Sequence, residues 1–428
     1  MAVHPELTAM RTLGLTRRQF IKRGALYVPL AYAAINVYPR PAHGADIVAA
    51  SAALSAVQAA VNAASDGDRV LIPNGTVTWS GGISTSKQIR IQAQNYTPTP
   101  MGAATRNVMI TNNSSAPLFE FTSGNAFHVG LGGIGFKEGT GNVNHFRFNG
   151  TGSKVPLIYD CYFRVKQRNG NQPDIAAVAL LSIGGVIWNC MGEADSLTPG
   201  PLGVGPDGAS IIVNSPRAWA TPSTLGALDV GGVVNWYVED SSFFNFGQSP
   251  DVDDNGRIVI RHCLLDGVSG LTHGFSSAFG GRHFEYYNNT FTTTTNDRNV
   301  AGRYFWARAG HGIFTDNVVN TQNRGYGSPQ LMDSIVESGA AYPVPRQVGW
   351  GHNGTSSVID PIYIWNQSGA GAYDWSTTSP TYIKANREVF ANVGAKPGYS
   401  KFTYPHPLRR VVEDSGLPPL APTGLTLR

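Results

Sequence analysis

Four times between Val233 and Asn320 the chain repeats one run of apolar and polar positions. Val238-Glu239-Asp240-Ser241-Ser242-Phe243, Ile260-Arg261-His262-Cys263-Leu264-Leu265, Tyr286-Tyr287-Asn288-Asn289-Thr290-Phe291 and Phe314-Thr315-Asp316-Asn317-Val318-Val319 each carry a short apolar run, a polar corner and a second short apolar run. The equivalent corner positions are 241, 263, 289 and 317, so the steps are 22, 26 and 28 residues. Such steps are too long for hairpins and too variable for helical repeats, and they contain β-branched runs broken by Gly, Asn and Asp. The pattern predicts an all-β chain, a single-domain right-handed parallel β-helix.

The corner position has its own chemistry. A side chain pointing inward at a tight corner must be small and able to bond the backbone of the next coil, as Ser241, Cys263, Asn289 and Asn317 can. Asn above Asn at a spacing of about 4.8 Å can form a ladder along the axis. Tyr159-Asp160-Cys161-Tyr162-Phe163 and Trp188-Asn189-Cys190-Met191 share the frame, which puts all three cysteines on the ladder. Three thiols on separate rungs are expected to be buried and free.

Residues 49–62 carry Leu54, Val57 and Val61 on one helical stripe, and Arg69-Val70-Leu71-Ile72-Pro73 follows as a first strand. A solenoid needs such an N-terminal capping helix to cover its exposed end. This helix, the Asp66-Gly67-Asp68 turn, the strand and Gly75-Thr76-Val77-Thr78-Trp79 together resemble the amino-terminal cap of pectate-lyase-like β-helix proteins. Strand material continues at 88–94, 108–111 and 128–136. From Met191 to Gly226 the repeat is lost in a Pro-rich excursion containing Arg217 and Trp219, which suits a binding wall or equally a simple packing loop. The repeat is lost again after Asn320, and residues 396–408 are expected to close the domain. With Ile359-Asp360-Pro361-Ile362-Tyr363-Ile364-Trp365-Asn366, the chain is similar to exported bacterial right-handed parallel β-helix proteins of the pectate-lyase-like superfamily.

The ends read differently. Thr16-Arg17-Arg18-Gln19-Phe20-Ile21-Lys22, a modestly apolar stretch from Gly24 to Val37 and Ala42-His43-Gly44 predict a twin-arginine signal over residues 1–45, hence a periplasmic or secreted protein. The β-helix domain is expected over 46–410 and a Pro-rich linker over 411–428. The whole chain has 32 basic and 28 acidic residues, but beyond residue 45 there are 26 and 27, a net charge of about −1. The basic balance therefore belongs to the leader, and global charge offers nothing to nucleic acid or anionic lipid. No further stretch is apolar for the roughly 20 residues of a membrane span. A monomer is expected.

Chemistry must lie on a face of the coil. The strands preceding the corner strands should stack Asp251-Val252-Asp253-Asp254, Leu271-Thr272-His273-Gly274 and Arg303-Tyr304-Phe305-Trp306-Ala307-Arg308 on three successive rungs. That would bring carboxylates, an imidazole and two guanidiniums together over about 10 Å, the reach of one or two sugar units. His273 and Arg303 are the catalytic candidates. Arg308, Trp306, Tyr304 and Arg282 are candidates for substrate binding, although Arg282 could instead pair with Glu285. Two arginines beside an aromatic ring suit a uronate carboxylate and a sugar plane. Asp251, Asp253 and Asp254 are candidates for calcium, against the commoner role of turn formers. Arg261 and His262, on the corner strand, read as structural.

The superfamily resemblance implies a site on such a groove and a carbohydrate substrate. For β-elimination from an acidic polysaccharide, His273 or an arginine would be the base, with arginine or calcium neutralising the uronate. For hydrolysis, Asp253 and Asp254 would act as an acid and base pair. The order Asp253-Asp254, His273-Gly274, Arg303 is loosely similar to a polygalacturonase, but no Gly precedes His273, no Arg-Ile-Lys follows and the upstream Asn-Thr-Asp is missing. A non-catalytic polysaccharide or surface binder is the third reading. A polysaccharide lyase is the expectation carried forward.

Overall fold

In the computed structural model the chain describes a right-handed parallel β-helix. The described residues are 44–122, 124–140, 145–150, 154–165, 175–182, 184–194, 208–214, 235–246, 250–253, 255–274, 280–292, 303–320, 330–336, 342–344, 346–353, 356–369 and 375–413. Nearly all of the expected leader, Arg217 and Trp219 in the excursion, Asp254 and the linker beyond 413 lie outside them. The chain divides into one unit spanning His43–Arg409 and a second made of residues 1–42 and 410–428, whose described part is the short helix Arg410–Glu413.

Three parallel sheets of twelve, ten and nine strands form the faces of the coil among the described residues. Each turn of chain visits the ten-stranded, then the twelve-stranded, then the nine-stranded sheet, as in Asp251–Asp253, Arg257–Arg261 and Leu264–Asp266. The next turn repeats this with Gly270–Thr272, His283–Tyr287 and Thr290–Thr292, each strand pairing with its predecessor. Period-two alternation sends Ile258 and Ile260 inward and leaves Arg257 and Arg261 on the outer face of their strand. The interior of the early turns is an aromatic stack in which Phe121 lies 5.3 Å from Phe148 and Phe136 lies 5.1 Å from Phe146. Burying each such ring contributes up to about 3 kcal/mol.

The expected ladder is present. Asn289 Oδ1 accepts the Cys263 N–H at 2.9 Å, and Asn317 Oδ1 accepts both the backbone and the side-chain N–H of Asn289 at 3.0 Å. One rung away, Ser241 Oγ accepts the Cys190 N–H at 3.0 Å. The residue just before each ladder position has left-handed backbone: Asp160, Asn189, Asp240, His262, Asn288 and Asp316 all have φ between 46° and 57°. Asp and Asn tolerate that region, which explains their place before the ladder residue; His262 does so without their local hydrogen bonding. The stretch 128–136 is two strands, Gly130–Gly132 and Ile134–Glu138, because Gly133 (φ 68°) makes the same corner. The coil also continues past Asn320. Asn366 (φ 50°) makes a further corner, Asn317 Nδ2 donates to Gln367 Oε1 at 3.0 Å, and Ile362–Trp365 pairs with His311–Thr315. The 50-residue step from Asn317 to Gln367 hides this rung in the sequence.

At the amino end, helix α1 spans Leu54–Ala63, starting at the first residue of its apolar stripe and later than residue 49, and Asp46–Val48 before it is a strand against Arg69–Leu71. An Asp46–Arg69 ion pair holds that strand. Val57 and Val61 face the core, and Lys87 Nζ donates to the carbonyls of Val61, Asn62 and Ala64, satisfying the helix end. At the other end, residues 396–409 run over the outer face of the twelve-stranded sheet. Arg261, fully buried, is ion-paired with Glu239 and donates to the carbonyls of Phe402 and Thr403. Tyr404 stacks on His262 at 3.8 Å and Tyr399 donates to Glu285 at 2.8 Å. Arg261 and His262 are therefore clamps for the closing segment, and the sheet face they occupy is covered.

Candidate active site

The outer face of the ten-stranded sheet is partly exposed at His273, Arg303, Trp306 and Arg308 and buried at Asp251 and Leu271. Val252, Thr272, Ala307 and Ser334 form its inward row, all essentially buried, so the residues on either side point outward. Asp251 stands opposite Leu271, Leu271 opposite Trp306, Trp306 opposite Asp333 and Asp333 opposite Ser376. One position on, the His273 N–H bonds the Val252 carbonyl at 2.8 Å and so places His273 beside Asp253. The buried Thr272 hydroxyl accepts the N–H groups of Arg308 (3.0 Å) and Ala309 (3.1 Å) and donates to the Ala309 carbonyl. This turn sets Arg308 next to His273. The three segments thus lie on successive rungs.

His273 is the centre of the cluster. Its Nδ1 lies 2.9 Å from Asp251 Oδ1 and 3.5 Å from Asp253 Oδ2, and its side chain remains 30% exposed. The bond to Asp251 raises the imidazole above its ordinary value of 6.5, against burial and the Arg308 charge. Among the described residues no carboxylate holds Nε2, the arrangement of a base oriented by its acidic neighbour. Asp253 also accepts the Gly280 N–H through Oδ1 at 3.2 Å.

Arg303 and Arg308 flank Trp306, with their guanidinium carbons 4.1 Å and 5.1 Å from its ring centre. Burial pulls both arginines below their ordinary value; Asp333 opposes this at Arg303, and Asp251 and Asp253 oppose it at Arg308. Guanidinium stays charged through such shifts, so two cations and an aromatic plane share one surface.

Two candidates do not reach this face. Tyr304 is 1% exposed and belongs to the core, its hydroxyl donating to the Asn320 carbonyl, because it falls on the inward side of the bend leading into Phe305–Ala307. Arg282 is 3% exposed and donates to the His352 carbonyl at 3.3 Å; Glu285 is bonded instead to His283 and Tyr399. Asp254 lies outside the described residues. Asp251 and Asp253 converge on the His273 imidazole, whose affinity for a proton they raise, and among the described residues no group of three or more metal-binding side chains occurs.

Gln330, Asp333 and Ser376 join the face although the sequence alone does not single them out. Asp333 Oδ2 lies 3.7 Å from Arg303 Nη1, and Ser376 Oγ lies 2.8 Å from Asp333 Oδ1 and 2.7 Å from Gln330 Oε1. The run Leu331-Met332-Asp333-Ser334, two apolar residues before two polar ones, has no strand alternation to mark it, and its strand is recognised once the coil is known to continue past Asn320.

No protein-family model matches the sequence, and no curated protein matches it. Among solved structures the chain is similar to a PL6 alginate lyase in complex with a trisaccharide, at 14% identity and TM-score 0.42, over 76% of this chain and 72% of that one. It is also similar to an alginate lyase from Paenibacillus, at 14% identity and TM-score 0.33 over 81% and 99% of the two chains. A pectin methylesterase from Aspergillus niger matches at 9% identity and TM-score 0.33, over 80% and 92%. At these identities the likeness concerns the fold alone.

Proposed function

We propose that the protein is a carbohydrate-active enzyme, a polysaccharide lyase that cleaves an acidic polysaccharide by β-elimination. The observation that carries this reading is the row Asp251–His273–Arg308 with Trp306 and Arg303 beside it, an oriented imidazole facing two guanidiniums and an aromatic plane. A proton next to a carboxylate becomes acidic when the carboxylate charge is neutralised, which Arg303 and Arg308 supply. His273 Nε2 takes that proton, the C–H electron pair becomes the new double bond, and the glycosidic C–O bond breaks. The imidazolium then returns a proton to the departing oxygen. Asp251 stabilises the imidazolium and fixes its tautomer.

Incubation of the purified protein with pectate, alginate, glucuronan and glycosaminoglycans, recording ultraviolet absorbance and reducing ends, tests the reading. A lyase produces both signals because elimination leaves a conjugated double bond. Reducing ends without absorbance would show a hydrolase, and neither signal would show a binder; both results overturn the proposal.

A further inference from the structure

Arg303 is held unusually for a surface arginine. Its Nε is buried without a hydrogen-bond partner among the described residues, and its ion-pair contact to Asp333 is 3.7 Å, longer than a hydrogen bond. Its guanidinium lies flat enough on Trp306 to place the central carbon 4.1 Å from the ring centre. Asp333 therefore attracts Arg303 by charge without taking up its terminal Nη1 donor in a hydrogen bond. Asp333 is itself fixed: it is 9% exposed, stands opposite both Trp306 and Ser376 in the sheet, and lies 2.8 Å from the Ser376 hydroxyl. That hydroxyl also touches Gln330, whose backbone bridges Arg303 in parallel register.

We infer that Asp333, seated by Ser376 and Gln330, is a positioning residue for Arg303, setting the angle at which the guanidinium meets the carboxylate of a uronate unit. The inference rests on the reading of this face as an active site. A carboxylate this close to an anion-binding arginine weakens ground-state attraction for the polymer, so its benefit lies in orientation. Removing it should separate the two effects.

The test uses the full chain and the acidic polymer that it cleaves. Asp333→Asn keeps the size and the acceptor facing Ser376 but removes the charge; kcat should fall about tenfold while KM does not rise. Ser376→Ala should move kcat in the same direction and less far. In an Arg303→Ala background, Asp333→Asn should have no further effect, because its action passes through the missing group. Thermal unfolding of each variant separates these effects from loss of fold. A slow Arg303→Ala enzyme together with an unchanged Asp333→Asn enzyme, or full additivity of the two, overturns the positioning role alone. An unchanged Arg303→Ala enzyme overturns the active face and the positioning role with it.

Discussion

Replacing Asn289 by Ala tests the ladder that holds the coil in register. Asn289 is 1% exposed and makes three side-chain bonds: it accepts the Cys263 N–H at 2.9 Å and donates to the Ile260 carbonyl at 2.8 Å and to Asn317 Oδ1 at 3.0 Å. Alanine removes all three and leaves a backbone donor and a backbone acceptor unpaired in an interior that water does not reach. At about 1 kcal/mol for each bond, the loss is about 3 kcal/mol. The protein supplies its own control, since Ser241 occupies the same position two rungs earlier and accepts the Cys190 N–H at 3.0 Å. Asn289→Ser should restore an acceptor for Cys263 but not the bonds to Ile260 and Asn317, and so cost about 2 kcal/mol. Equilibrium urea unfolding followed by tryptophan fluorescence reads the global loss. Hydrogen exchange in a peptide spanning Ile258–Leu265 reads the local one, which should accelerate on the order of 100-fold in the Ala variant, at 1.36 kcal/mol per decade. Equal effects of Ala and Ser, or an Ala variant within 0.5 kcal/mol of the parent, roughly the scatter of neutral substitutions, would refute the ladder as a source of stability.

His273→Ala should slow cleavage about 100-fold or more, and Asp251→Asn should both slow it and move the acid limb of the rate profile to lower pH, because Asp251 is what raises the imidazole; an unmoved limb would remove His273 as the base. Burial holds His145 and His262 down at about 4 and His406 at about 3, whereas an unfolded histidine titrates near 6.5. Their contribution to stability is complete above about 6.5 and is lost as pH falls from there through 4 toward 3, because the unfolded chain binds the protons first. His273, raised instead, acts in the opposite sense, so thermal midpoints measured from pH 8 down to 4 should stay level and then fall, and a midpoint that rises on acidification would contradict this. Cys161, Cys190 and Cys263 are free and buried, so thiol titration should find none in the native protein and three after unfolding; reactive native thiols would place the ladder elsewhere.

The four corner motifs made the coil legible because a solenoid repeats its local constraint on every turn: left-handed backbone, then a small polar side chain turned inward. Asp240-Ser241, His262-Cys263, Asn288-Asn289 and Asp316-Asn317 declare that constraint in sequence, and so do Asp160-Cys161 and Asn189-Cys190. Parallel pairing then follows, and with it the alignment of Asp251, His273 and Trp306 on neighbouring rungs, since one turn always returns to the same face. Asn366-Gln367 carries the same signal but was obscured by the length of chain inserted before it. Tertiary structure decided what sequence separation conceals. Whether an outer face is open or covered depends on segments more than a hundred residues away, as where Phe402 and Thr403 cover Arg261. The direction of a side chain at a bend depends on where the strand begins, which sent Tyr304 into the core. The surroundings of Arg303 depend on the two rungs that follow it, the first bringing Asp333 and the second Ser376, which seats it. A repeat fixes neighbours along the axis through local geometry, while charge pairing between rungs is a property of distances that form only when the coil has closed.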